Sequence, residues 1–183
     1  MAVKALFTAE DLDGIQRLTG KKYELIRGEL YEVTTAPRAN FVTAEIIGLL
    51  RDWNRRARAG NVGGDIGFTL ERHPDTVRAP DVCFVRKGRL SRERAERGYP
   101  EMAPDLVFEV RSPNDTMAAL RRKAEQFLEK GSEMVVLVEP DKGAEVFERN
   151  QPPRRLGPSD MFQAPAILPG FSCRVGDFFP EHL

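Results

Sequence analysis

The chain has 183 residues, 41% of them hydrophobic, with 28 Lys and Arg against 28 Asp and Glu. It is long enough to bury a core without disulfides, too apolar for a disordered chain, and without the uninterrupted apolar run of ~18 residues that a membrane span needs. Zero net charge excludes a protein that grips nucleic acid by bulk electrostatics alone, so such a role must rest on a local site. The opening MAVKALFTAEDL has no long apolar stretch, and no secretory signal is read there. Cys83 and Cys173 form no CxxC pair, and with His73 and His182 they complete no common zinc pattern. A reduced, cytoplasmic protein with no membrane contact is expected.

In chain order, residues 8–18 predict a short helix capped by Thr8, with acids in its first turn. Residues 22–34 predict a hairpin, YELI and ELYEV about a tight turn at Arg27-Gly28. In residues 40–58, Phe41, Ala44, Ile47, Leu50 and Trp53 recur at helical spacing, with Asn40 as a cap and Gly60 as the stop. Residues 61–71 read as one glycine-bearing strand, followed by a turn at His73-Pro74-Asp75. Residues 79–85 predict a short strand, 86–103 an Arg-rich surface loop with a helical turn, and 104–111 a second short strand. Ser112-Pro113-Asn114-Asp115 stops that strand and caps a helix over 115–130, whose apolar face carries Met117, Leu120, Ala124, Phe127 and Leu128. Residues 134–138 read as a buried strand, and 144–149 as its hairpin partner across Asp141-Lys142-Gly143. The tail predicts an edge strand and a terminal helical turn. This mixed order predicts a sheet domain with few helices rather than a bundle.

The chemistry concentrates between residues 79 and 123. The two short strands each open with Pro-Asp, at Asp81 and Asp105. In the second, alternation sends Leu106, Phe108 and Val110 one way and Asp105, Val107, Glu109 and Arg111 the other. A carboxylate at Glu109 within an apolar strand needs a partner or an ion. One reading is a strand-end ion pair with Arg78, or with Arg111 of a neighbour. Lys123 lies at the margin of the apolar helix face, where it either snorkels to solvent or reaches along the sheet. Two carboxylates and a lysine from adjacent elements can hold a divalent cation and a water. Carboxylate oxygens suit Mg²⁺, which keeps waters and takes phosphate oxygens. Asp105 fits a structural role near the strand start. Cys83, on the Asp81 face, reads as a small apolar filler. Two Arg-rich stretches could approach a phosphate backbone: Arg51, Arg55, Arg56 and Arg58, and the run from Arg86 to Arg97. The second is favoured because it leaves the strand bearing Asp81, and its alternative is a solvated face. No aromatic interleaving for stacking on single strands is read.

Pro80-Asp81-Val82, the run Pro104 to Val110 with Ser112-Pro113, and Lys123 four residues before Phe127 resemble the Uma-two type of endonucleases. These belong to the PD-(D/E)xK, restriction-endonuclease-like superfamily. The hairpin Tyr23 to Leu30 and the stretch from Gly131-Ser132-Glu133 through Val138 to Pro140 resemble the same family, so the likeness spans nearly the whole chain. The resemblance implies that Asp81 and Glu109 bind metal, with the Val110 carbonyl as a further contact. It implies that Lys123 is the catalytic lysine, moved from the strand to the following helix, and that Glu24 is an accessory acid near the site. Arg111 stands where the plain (D/E)xK pattern has Lys and is a possible accessory. Arginine holds phosphate but cannot act as a base at neutral pH. Asn40 stands near where relatives often carry His.

The expectation is one α/β domain over 1–183, a restriction-endonuclease-like mixed sheet flanked by helices. It would hydrolyse phosphodiester bonds in nucleic acid, with DNA favoured, using Mg²⁺ or Mn²⁺ at Asp81 and Glu109 and Lys123 to orient or polarise the water. A homodimer is expected. The alternative is a non-catalytic nucleic-acid-binding or assembly protein on the same scaffold. A sugar hydrolase would need an open carboxylate pair and stacking aromatics, and Trp53 reads as helix core.

Overall fold

The computed structural model describes residues 5–181; His182 lies outside them. Thr8 caps α1 (Ala9–Thr19) in a reciprocal capping box with Asp11, and Gly20 closes the helix in the left-handed conformation. β1 (Tyr23–Ile26) and β2 (Glu29–Glu32) form the expected hairpin. Its two-residue turn places Arg27 at φ 50° and Gly28 at φ 79°, the geometry that matches strand twist. Gly28 is needed there twice over, because a Cβ would also lie 2.6 Å from Leu6.

α2 (Pro37–Ala57) starts earlier than the spacing predicts. Ala36 is the N-cap, Pro37 takes the first turn, and Asn40 lies inside the helix, exposed. Its buried stripe is Ala39, Val42, Ile46 and Leu50, while Phe41 is 51% exposed. The predicted stripe is thus rotated off the core at Phe41, while Leu50 lies within the core and Ile47 and Trp53 pack against its edge.

The glycine-bearing stretch is two strands in different sheets, β3 (Gly60–Gly63) and β4 (Phe68–Glu71). The chain bends at Gly64, where a Cβ would meet the Asp81 carbonyl at 2.7 Å, and the Asp65 N–H donates to the Pro80 carbonyl. The glycines therefore serve a close crossing over the Asp81 segment rather than strand continuity. β5 (Thr76–Arg78), not anticipated, follows the turn. β4 and β5 join the hairpin in a four-stranded sheet ordered β2-β1-β5-β4.

β6 (Val82–Arg86), β7 (Leu106–Val110), β8 (Met134–Glu139), β9 (Gly143–Glu148) and β10 (Arg154–Leu156) complete the central sheet, ordered β10-β9-β8-β7-β6-β3. Among the described residues only β7 and β8 pair in parallel, and α4 (Met117–Glu129) connects them. The short α3 (Arg92–Glu96) lies in the Arg-rich loop. Thr116, not the Ser112–Asp115 turn, caps α4. Among the described residues, the tail adds no edge to the central sheet. It forms a separate pair, β11 (Met161–Phe162) with β12 (Cys173–Arg174), and a 3-10 turn over Val175–Phe178.

Both faces of the central sheet are covered, so its inner strands β6, β7 and β8 are almost continuously apolar and buried. α2 and the tail cover one face, burying Val82, Phe84, Leu106, Phe108 and Val110. Phe108 packs edge-on against Phe162 and Phe178. α4 covers the other face, with Leu120, Ala124 and Phe127 over Val107, Val135 and Leu137. The alternation along β7 therefore aims Glu109 at α4.

Asp75 ties α1 to the four-stranded sheet. Its buried carboxylate accepts from the N–H groups of Ala9 and His73 and pairs with Arg72 at 2.7 Å. Burial pushes this carboxyl up, but those two N–H groups and Arg72 outweigh it and hold it below the ordinary 3.8. A depressed carboxylate stabilises the fold above its unfolded value, and that contribution is lost as pH falls through the lower folded value. Asp75→Asn is expected to cost about 1–3 kcal/mol at pH 7 and to flatten the acid limb below about pH 4. Urea titrations of both proteins between pH 3 and pH 7 check it; parallel acid limbs would refute it.

Candidate active site

β6 and β7 part company where Asp81 meets Glu109. The last ladder pair is Val82 with Phe108. One residue further on, the Asp81 side chain replaces the ladder, its Oδ2 accepting the Val110 N–H at 2.6 Å. The splayed strands leave two carboxylates facing a cavity of about 830 Å³ whose lining includes Glu24, Asp81, Glu109, Val110 and Lys123. Asp81 and Glu109 thus share one side of the sheet.

Lys123 reaches from α4 into this cavity with 14% of its side chain exposed. Its Nζ lies 2.8 Å from Glu109 Oε1 and 2.8 Å from Glu24 Oε1. It donates to Glu109 Oε2 at 2.9 Å. Glu24 in turn accepts from Arg78 Nη1 at 2.7 Å and from the Ala79 N–H at 3.0 Å, and Arg78 Nε donates to Gln126. Charges alternate along Arg78, Glu24, Lys123 and Glu109, which is how buried ions offset the cost of leaving water. Glu109 Oε1 faces the ammonium without hydrogen-bond geometry and is a buried oxygen with no hydrogen-bond donor.

Burial pushes the Glu109 carboxyl up. Lys123 pulls against that rise, while Asp81 and Glu24 add to it. Burial also raises Asp81, opposed by the Val110 N–H and Lys123. Glu24 goes the other way, because Lys123 and Arg78 together outweigh its burial. For Lys123, burial is outweighed by Glu109 and Glu24, so the ammonium is held above its ordinary range. The lysine is therefore a fixed cation and not a proton acceptor.

The donors suit a hard divalent ion. Glu109 offers an oxygen without a donor, and the only hydrogen bond that Asp81 accepts within the described residues is that from Val110. Among the described residues, no three His, Cys, Asp or Glu side chains form a metal cluster by themselves. Two carboxylates with open positions fit Mg²⁺, which is usually held by one or two carboxylates while waters and substrate phosphates fill the rest.

Not every residue singled out in the sequence gathers here. Arg111 pairs with Glu139 at 2.7 Å and donates to the Asp115 carbonyl, and it lines a neighbouring depression instead. Glu109 pairs with neither Arg111 nor Arg78, because Lys123 occupies that place. The Arg86 to Arg97 stretch leaves the far end of β6, about 16 Å from Asp81 at ~3.3 Å per residue. There Arg86 and Arg89 pair with Asp105, which also accepts the Arg86 N–H. Arg51 to Arg58 lie in the C-terminal part of α2, about 21 to 32 Å along the helix from its start at 1.5 Å per residue. Cys83 packs with Phe68 and Val85, and His73 is exposed. Arg78, Gln126, Tyr31 and Arg122 line the cavity without having been anticipated as site residues.

A family model named Uma2 and described as "Putative restriction endonuclease" matches residues 9–176. No curated protein matches the sequence. Among solved structures, the chain is similar to a crystal structure described as "a putative nuclease belonging to DUF820" from Anabaena variabilis. The two share 20% identity and superpose with a TM-score of 0.77, covering 92% of this chain and 96% of that one. That likeness shows a shared fold. Among the described residues, no helix is long and apolar enough to cross a membrane.

Proposed function

The chain belongs to the Uma2 family of restriction-endonuclease-type proteins, and from that premise we propose that it hydrolyses phosphodiester bonds in nucleic acid with a divalent metal, DNA being the favoured substrate. The observation that carries this reading is the meeting of Asp81, Glu109 and Lys123 in one cavity, with the buried Glu109 Oε1 held only by the charge of Lys123 at 2.8 Å.

Asp81 and Glu109 would hold Mg²⁺ or Mn²⁺, with the Val110 carbonyl beside them. Bound there, the ion would lower the pKa of a water and offset charge on the phosphate. Lys123, protonated and fixed between two carboxylates, has no lone pair with which to take a proton. Its role is to orient the attacking water and to stabilise charge developing on the scissile phosphate. Glu24, itself anchored by Arg78 and the Ala79 N–H, keeps that ammonium in place. Water adds to phosphorus, one P–O ester bond breaks, and the leaving oxygen takes up a proton.

One observation favours a second reading. The chain of ion pairs from Arg78 to Glu109 is nearly self-satisfied without any ligand, as a purely structural network would be. Incubating the protein with supercoiled plasmid and with single-stranded oligonucleotides in EDTA, Ca²⁺, Mg²⁺ or Mn²⁺ separates the two. Cleavage with Mg²⁺ or Mn²⁺ alone is expected, with Ca²⁺ supporting binding better than cleavage. If no metal alters binding or cleavage of DNA or RNA, the non-catalytic reading stands instead.

A further inference from the structure

The wall of the cavity facing α4 includes the β1–β2 hairpin. Its tight turn sets Tyr31 directly opposite Glu24 in the ladder. Such partners project from the same face of a sheet, with Cα atoms ~4.5–5.5 Å apart. Tyr31 is therefore one strand away from the carboxylate that touches Lys123. It lines the cavity yet is 48% exposed. Its hydroxyl donates to Glu29 Oε2 at 3.3 Å, which fixes the polar tip. Among the described residues no other aromatic ring stacks on it.

On α4, Ala119, Arg122, Lys123 and Gln126 line the same cavity at helical spacing. Lys123 is neutralised by Glu24 and Glu109, and Arg78 by Glu24. Arg122 is exposed and has no ion pair or hydrogen bond among the described residues. It is the cation in this cavity whose charge is not already offset by a protein carboxylate.

We propose that Tyr31 and Arg122 form a subsite for one unpaired nucleotide of a nucleic-acid strand, Tyr31 stacking on its base and Arg122 holding its phosphate. This rests on the nuclease reading above and narrows its substrate. A base inside a duplex is stacked on its neighbours and offers no free face, whereas an unpaired base does. A duplex also brings one negative charge per ~1.7 Å. Glu125 and Glu129, on the cavity side of α4 and without ion pairs among the described residues, oppose a second backbone. One spare cation and one bare ring match one strand.

The test is fluorescence anisotropy in Ca²⁺ with a short single-stranded oligonucleotide and the corresponding duplex. The proteins are wild type, Tyr31→Ala, Tyr31→Phe and Arg122→Gln. The wild type is expected to bind the single strand more tightly than the duplex. Tyr31→Ala is expected to weaken single-strand binding by about five- to hundredfold and duplex binding by less than about twofold, while Tyr31→Phe stays near wild type. Arg122→Gln is expected to lower the slope of log affinity against log salt by about 0.7, the mark of one lost phosphate contact on a single strand. Wild-type binding to the single strand that Tyr31→Ala leaves unchanged, or a duplex preference, overturns the subsite alone. So does Tyr31→Phe being as damaging as Tyr31→Ala. Absence of wild-type binding to either nucleic acid overturns the nuclease reading with it.

Discussion

Lys123→Met is expected to slow metal-dependent cleavage by roughly 10²–10⁴-fold, the scale of a lost electrostatic or proton-handling group. It is also expected to destabilise the fold at neutral pH. Methionine keeps the length of the side chain but removes the cation between Glu24 and Glu109, which are 7% and 5% exposed. Breaking one partner out of a buried ion pair costs about 3–5 kcal/mol. Glu24 keeps Arg78 and the Ala79 N–H, so the uncompensated charge is mainly that of Glu109. The pH dependence has a definite sign. Burial pushes the Glu109 carboxyl up against the pull of Lys123, and loss of Lys123 raises it further. A raised carboxyl supplies stability that is full below its unfolded value and lost as pH rises through its folded one. The deficit of the variant should therefore be smaller near pH 5, where the carboxyl is protonated in both proteins, than near pH 8. Urea titrations at both pH values read the stability term, and cleavage at a pH where the variant is folded reads the catalytic one. Adding Glu109→Gln to Lys123→Met should restore much of the stability and none of the activity. A fully active Lys123→Met, with Arg111→Ala inactive, would reverse the assignment of the two cations.

The paired change Asp81→Asn with Glu109→Gln is expected to abolish cleavage and remove the response of nucleic-acid binding to Mg²⁺ or Mn²⁺. The amides keep the shape of the carboxylates but lose the charge a hard cation needs. In the wild type, the chain carries no net positive charge and the cavity wall bears Glu125 and Glu129, which have no ion pair among the described residues, so few counterions are released on binding without metal. Affinity should therefore rise when metal is added. In the double variant two negative charges near the phosphate are gone, and metal-free binding is expected to match or exceed that of the wild type. Gel shifts and plasmid nicking in EDTA, Ca²⁺ and Mn²⁺ measure both quantities. Metal-dependent nicking by the double variant would contradict the assignment.

The parts of this site that local rules govern are legible in the sequence. Alternation along β7 places Glu109 opposite Phe108, and 3.6-residue periodicity places Lys123 beside the buried stripe of α4. The two-residue turn at Arg27-Gly28 fixes the register that sets Tyr31 against Glu24, so the exposed tyrosine was recoverable from the hairpin alone. What local rules do not carry is the direction in which long connections leave the sheet. The Arg86 to Arg97 loop follows the Asp81 strand in sequence but departs from its opposite end. The ion-pair partners of Glu109 and Arg78 depend on which helix crosses the sheet, so the sequence offers Arg78 or Arg111 to Glu109, whereas Lys123 takes that place and Arg78 pairs with Glu24. Gly63-Gly64 reads as strand glycine, yet the bend there answers to a close crossing over Asp81 from another part of the chain. In α2, the rival stripes through Phe41 and through Val42 are both helical in spacing, and only the position of the central sheet decides between them.

The most direct measurement of the central claim is the anomalous difference density of crystals soaked in Mn²⁺. An ion coordinated by carboxylate oxygens of both Asp81 and Glu109, at roughly 2.0–2.6 Å and with Lys123 beside it, is the predicted result. Crystals that take up Mn²⁺ elsewhere or not at all, while Lys123 stays locked between Glu24 and Glu109, would contradict it.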